Sequence, residues 1–457
     1  VITITNIGVP LKECRNKLGV TQKEIASKFI SRNHLSEIEN NNVALTPKNA
    51  IHLCYQLQYF SALKNIKVPF IFDDIIQESE FNSEYHLIKS AMAYNDSVLL
   101  AIKKTEPVNN YSSMKEVYQK INHNLLRACL YHNLGDSLGI HRNYKEQLDT
   151  YLKSFDAVRV ENEITMLCEL FDKITPLMFR LALYEEFVTL AHSFINELKS
   201  KDKSIHPKIY LNMSLAYSHC YKLTESLECI ELFLNNSDYT SIYYPQALLM
   251  KANDFSMLNK FDIAKDLYIQ SSTIFLERKE YDSYYLTLSN IIDLLIAQGE
   301  ITESPNSINS ISDSVRYYIS DIEAKISKST INPITLAKIY TNVAKGYSFL
   351  GEYETAISYY ENVFRMDLQS DSITHYFKAI EISIPCFTKV GKLKYLYETY
   401  VKYGHLPAIN WNKQLKLIYE EVLLKIGVNL IDCSDNILQE IFKSLIIIKD
   451  YDKKLYG

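Results

Sequence analysis

Apolar positions recur along this chain with the period of an α-helix, in paired short segments separated by turns. The clearest pair runs from Leu336 to Met366. Tyr340, Val343, Ala344 and Tyr347 stand at i, i+3, i+4 and i+7, one face of a helix. Gly351 then stops the segment, because glycine takes the left-handed backbone that a helix C-terminus needs. Ala356, Tyr360 and Val363 mark the apolar face of a second helix, and small Ala344 and Ala356 let the two helices approach closely. One such pair cannot bury its own apolar face, so the pattern predicts neighbours.

The same spacing starts from Tyr131, Phe171, Tyr210, Leu248, Leu288 and Ile380, and a poorer copy spans Phe81 to Lys104. These units resemble tetratricopeptide repeats. Their starts step by 38 to 40 residues, with one longer step of 52 into Tyr340; the standard repeat is about 34. The Ser- and Asn-rich stretch Ile301 to Ser310 reads as a loop that absorbs the extra length.

The first sixty residues follow a different plan. Leu11 and Cys14 face inward on a helix that ends near Gly19. Thr21 and Glu24 form a capping box opening a helix from Gln22 to Phe29. Ser31 caps a further helix through Asn40, with Leu35 and Ile38 inward, and Thr46-Pro47 opens another. Two short helices joined by a tight turn are the helix-turn-helix plan. The segment from Thr21 to Asn41 resembles the Xre/Cro family of DNA-binding modules, matching at Thr21, Gln22, Glu24, Ile25, Ala26, Ser36, Ile38 and Glu39. It departs from that family in lacking the turn glycine, and the turn at Phe29-Ile30-Ser31 is about one residue short.

The resemblance makes Ser31 to Asn40 the recognition helix. Ser31, Arg32, Asn33, His34, Ser36 and Glu37 are then candidates for the DNA face. Arg bridges guanine O6 and N7, and Asn bridges adenine. Gln22 and Lys23, near a helix N-terminus, suit phosphate contacts. Residues 1–62 hold seven Lys/Arg against four Glu, a local +3 in a 457-residue chain of net −5. That balance excludes a wholly basic coat for nucleic acid and fits one DNA-binding module.

The expected fold class is all-α: an N-terminal helix-turn-helix domain followed by a right-handed superhelical tetratricopeptide-like repeat array. The expected division is 1–64 for DNA binding, 65–82 for a linker broken at Val68-Pro69 with a short helix around Asp73 to Glu80, 83–410 for the array, and 411–457 for C-terminal capping or dimerisation helices. Scarce Gly and Pro, 11 each, agree with a helical chain. The eight cysteines form no CxxC pair and read as single buried thiols, without metal. No apolar run is long enough to span a membrane and no signal peptide is visible, so a cytoplasmic protein is expected. No phosphate loop, HExxH or GxSxG motif suggests catalysis or a cofactor.

The first helix of each repeat lines the concave side. One inward stripe of those helices reads Asn133, then Asn212, Leu215 and His219, then Met250, Asn253 and Met257, then Asn290, then Asn342, Lys345 and Phe349. Asn both donates and accepts, so a ladder of it can hold an extended peptide backbone whatever its sequence. Leu215, Met250, Met257 and Phe349 would form side-chain pockets, and Lys345 suits a peptide carboxylate.

Taken whole, the chain resembles the RRNPP group of regulators (Rgg, Rap, NprR, PlcR and PrgX types). That resemblance implies a quorum-sensing transcription factor: a homodimer on operator DNA, switched by a short imported signalling peptide. Its alternative is a Rap-like repeat protein acting through a protein partner such as a response regulator.

Overall fold

The structure is a computed structural model. It describes residues 7–401, apart from 27–29, 109, 162, 303, 327–328 and 367–372, together with residues 420–426. Among the described residues every regular element is a helix. The chain forms two compact units, Val1–His206 and Pro207–Gly457.

The first unit opens with α1 (Gly8–Lys17), α2 (Gln22–Ile25), α3 (Arg32–Glu39) and α4 (Pro47–Lys64). Local chemistry sets the boundaries. Gly19, at φ +61°, turns the chain out of α1. Thr21 and Glu24 cap each other's backbone in a full capping box. The Ser31 side chain accepts the His34 N–H, and that of Thr46 accepts the Asn49 N–H. The second helix is shorter than the pattern suggests. It stops at Ile25, and Ala26 is already extended at ψ 143°. Part of the expected turn, at Phe29, lies outside the described residues.

Asn65 ends α4 in the left-handed conformation, φ 53°. Residues 66–72 carry no helix, as Val68-Pro69 predicts. The linker helix is α5 (Asp73–Ile76), half the expected length. Then come α6 (Asn82–Lys104), α7 (Tyr111–Gln119), α8 (Asn124–Ile140), α9 (Tyr144–Glu161), α10 (Ile164–Arg180) and α11 (Tyr184–Ser200). The extended linker does not interrupt the core. Leu11, Leu35, Ile38 and Leu53 of the first four helices share one apolar cluster with Ile88, Tyr118, Leu130 and Leu134.

The second unit is a series of helical hairpins. They are α12 (Lys208–His219) with α13 (Leu223–Asn235), α14 (Tyr244–Met257) with α15 (Phe261–Glu277), α16 (Tyr281–Glu300) with α17 (Pro305–Ile326), α18 (Pro333–Phe349) with α19 (Tyr353–Arg365), and α20 (Ile373–Lys389) with α21 (Leu393–Val401). Val343, Ala344, Ala356, Tyr360 and Val363 are all buried between helices. The serines that stand at close-approach positions have a further use. Ser226 donates to the Ser214 carbonyl and Ser271 to the Pro245 carbonyl, both at 2.8 Å. In the first unit Ser154 does the same to Ala128 at 2.8 Å. A small side chain lets the helices touch, and its hydroxyl is satisfied by the helix it touches.

The expected loop at Ile301 to Ser310 is mostly helix, because Pro305 opens α17 rather than breaking one. Ile311, Val315, Ile319 and Ile322 form its buried stripe. The long step in the repeat therefore comes from two long helices, not from an inserted loop. The expected capping or dimerising tail, 411–457, lies outside the described residues except at 420–426, where Val422, Leu423 and Ile426 join the last core.

Candidate functional site

Two surfaces carry the candidate residues. On the N-terminal module, α3 buries Leu35, Ile38 and Glu39 and turns Ser31, Arg32, Asn33 and Glu37 outward, with His34 and Ser36 half-buried. The side chains of Arg32 and Asn33 have no partner among the described residues. Others are engaged at home. Glu37 accepts from Asn42 at 2.9 Å, and the His34 ring lies 3.2 Å from the Asn49 amide. Lys23 is exposed.

Gln22 is half-buried and its amide donates to Glu39 at 2.8 Å. Arg15 grips the same carboxylate, Nε to Oε1 at 2.7 Å and Nη2 to Oε2 at 3.1 Å. Burial pushes the Glu39 carboxyl up, but hydrogen bonds from Arg15 and Gln22 outweigh it and hold it below the usual carboxylate range. The acid thus stays charged inside the module, and α1, α2 and α3 meet at one point. The pattern marked Glu39 as a family match but not as a buried charge.

The inward stripe behaves differently at its two ends. Asn133 is only 8% exposed. Its amide donates to Asn95 Oδ1 at 3.0 Å and to the Ala62 carbonyl at 3.4 Å. It therefore lies against α4, not on an open face. The expectation missed this because helical spacing gives a face but not what covers it. Nearby, Tyr55 of α4 stacks on His123, ring centroids 5.2 Å apart. His123 Nδ1 caps α8 by accepting the Leu126 N–H at 3.1 Å, and burial pushes its pKa down to about 4.

In the second unit, stripe residues of α16 and α18 meet. The Asn342 amide lies 3.4 Å from Asn290 Oδ1 and donates to Ser289 Oγ at 3.2 Å. One turn on, Lys345 is ion-paired with Asp293. One turn further, the Phe349 ring fills the space beside Gly299, where a Cβ would meet it at 2.7 Å. Here α16 and α18 run side by side. Asn253 also has a partner, accepting from Tyr268 at 2.6 Å. Asn212 and Met250 are half-buried, while Leu215, His219 and Met257 are exposed.

A cavity of about 430 Å³ opens at the Phe349 end of this stripe. Lys345 and Phe349 line it, with Asp293 and Glu300 of α16 and Ile382, Pro385 and Lys389 of α20. The α20 residues continue the stripe by one repeat. The Ile380 repeat was legible, so the same counting rule would have found them. A wider depression of about 660 Å³ on α9 and α11 is lined by Arg159, Glu197 and Lys201 among others. Within it Glu197 holds both Arg159 and Lys201 at 2.7 Å.

Residues 11–54 match the helix-turn-helix family. No curated protein matches the chain. Among solved structures, one similar chain is PlcR from Bacillus thuringiensis in complex with the peptide PapR7 and DNA, at 16% identity and TM-score 0.28, over 61% of this chain and 97% of that one. Another is aspartyl phosphate phosphatase F from Bacillus subtilis, at 13% identity and TM-score 0.34, over 80% of this chain and 96% of that one. The N-terminal part is thus a helix-turn-helix module, and helical hairpins follow it among the described residues. Among the described residues no helix is long and apolar enough to cross a membrane.

Proposed function

We propose that the protein is a transcriptional regulator that binds operator DNA as a homodimer and is switched by a short imported peptide on the inner face of its second unit. The observation that carries this is the combination of a free recognition surface and a prepared peptide surface. Arg32 and Asn33 stand outward on a helix whose base is fixed by the Arg15–Glu39 pair. On the other surface, Asn290 and Asn342 sit side by side above a cavity of about 430 Å³.

The chemistry suits both tasks. Arg and Asn read base edges, and Lys23 adds a phosphate contact. One such module touches few base pairs, so a two-fold dimer on two half-sites supplies the affinity. Amide side chains pair with peptide N–H and C=O groups, and the cavity takes one apolar residue. A peptide switches the protein only if it binds two arrangements of the array with different affinity.

Selection of a random duplex DNA pool by the full chain tests the DNA reading. Enrichment of an inverted repeat is expected, with one base pair per half-site losing its preference in Arg32→Ala. A pool that stays random after several rounds would sink it.

A further inference from the structure

Charge on the inner face of α18 and α20 is one-sided. The stripe through Asn342 on α18 runs Lys338, Asn342, Lys345, Phe349, at i, i+4, i+7 and i+11. The corresponding stripe on α20 runs Lys378, Ile382, Pro385, Lys389. These two stripes hold four lysines and no acid, in a chain whose net charge is −5. The sequence of α18 contains no acidic residue at all, and α20 contains only Glu381, which is ion-paired with Lys425.

The four lysines are not equivalent. Lys345 has its counter-ion in Asp293. Lys389 lines the cavity at the far end. Lys338 and Lys378, one turn before the asparagine level, have no ion-pair partner among the described residues. Lys338 is half-buried, and burial, then the charge of Lys378, pushes its pKa down. Across the unit, burial and the same Lys378 charge also hold His219 of α12 below its ordinary value. Lys338 is thus disfavoured in its charged form by burial first and by a neighbour of like sign second, and the one acid of the two helices, Glu381, is already ion-paired with Lys425. A bound anion would offset that like charge, and two ammonium groups on adjacent helices suit the two oxygens of one carboxylate.

We propose that Lys338 and Lys378 form a carboxylate-binding subsite for the peptide, next to the Asn342 level of the inner face. The proposal rests on the peptide reading and adds the class of ligand: a peptide that places an anionic group over α18 and α20, with its apolar residue in the cavity beyond. The carboxylate is supplied either by the peptide's C-terminus or by an Asp or Glu side chain.

The test uses the full chain and three fluorescein-labelled random hexapeptide pools built from neutral residues. One ends in a free carboxylate, one in an amide, and one in an amide with a single Glu placed at every position in turn. Polarisation should show one carboxylate-bearing pool bound at least about tenfold more tightly than the neutral amide pool, the size of one charge-assisted contact. Preference for the first pool names the C-terminus as the source; preference for the third names a side chain. K338E and K378E, each checked for a native melting curve, should lose that preference. Lys378 is exposed, so its variant is safe for folding. Equal binding of all three pools, or a preference that both variants keep, overturns the subsite while leaving a peptide site. Binding of no pool at all overturns the peptide reading, and the subsite falls with it.

Discussion

Glu39 and Arg15 form a two-point ion pair inside the N-terminal module, at 2.7 and 3.1 Å, with the Glu39 side chain 2% exposed. A carboxylate so placed is tolerable only while its partners stay. Arg15→Met would leave it buried without its counter-ion, held only by the Gln22 amide, at a cost of ~3–5 kcal/mol. Because the folded Glu39 carboxyl titrates below its ordinary value, its contribution is present above the unfolded pKa and fades as pH falls through the folded one. Urea unfolding of the full chain should show the first unit losing stability in Arg15→Met; an unshifted midpoint refutes the latch.

Arg32 leaves the core alone, so its loss should appear only on DNA. Arg32→Ala is expected to lower affinity for a selected operator by about 1–3 kcal/mol, with discrimination lost at one base pair per half-site. Melting temperature should not move. Wild-type binding should weaken steeply with salt, and a flat dependence measured by gel shift would argue against phosphate contacts at Lys23.

Much of this was legible in the sequence, and the exceptions share a cause. Period and caps placed α1, α3, α4 and the hairpins, because those features are local to ten or twenty residues. Asn342 and Asn290, 52 residues apart, were matched by counting alone. Asn133 obeyed the same count and has another use, since what covers a face depends on chain far away, here Ala62. The stretch after Ile301 misled for a different reason. Ser, Asn and Pro are loop formers by propensity, but burial of Ile311 and Val315 overrides propensity.

Asn212→Ala combined with Asn342→Ala should weaken binding of a pool-derived peptide at least about tenfold, since each removes a two-way backbone contact. Calorimetric titration is the readout. An unchanged constant would show that Asn342 serves only its bond to Ser289.

Asn133→Ala should do the reverse. It strips two buried acceptors, Asn95 Oδ1 and the Ala62 carbonyl, of their donor, at roughly 1–3 kcal/mol. Stability of the first unit should drop while peptide affinity stays. A peptide defect of the Asn342 kind would return Asn133 to the ligand stripe.

Asp254 supplies a pH test. It is 1% exposed, accepts from Ser218 at 2.8 Å, and its Oδ2 has no partner among the described residues. Burial raises its pKa, against the hydrogen bond from Ser218. The folded chain therefore keeps this proton where the unfolded chain has lost it. Stability should fall as pH rises from about 3.8, the ordinary value, through the raised folded one. Asp254→Asn should flatten that part of the pH–melting curve by calorimetry. A slope identical to wild type would mean that Asp254 is not the group responsible.

The unbroken core beneath the linker bears on how such proteins diversify. The helix that closes the helix-turn-helix module, α4, also packs on the helices that follow, with Tyr55 and Ala62 contacting α6 and α8. A helix-turn-helix head transplanted from another chain would arrive without the matching contact face. Grafting at residue 65 should give an insoluble hybrid, whereas a graft that carries α6 and α8 along brings its own partners. Under the proposed DNA reading, specificity for a new operator is thus reached more readily by changing Arg32 and its exposed neighbours in place than by exchanging the head.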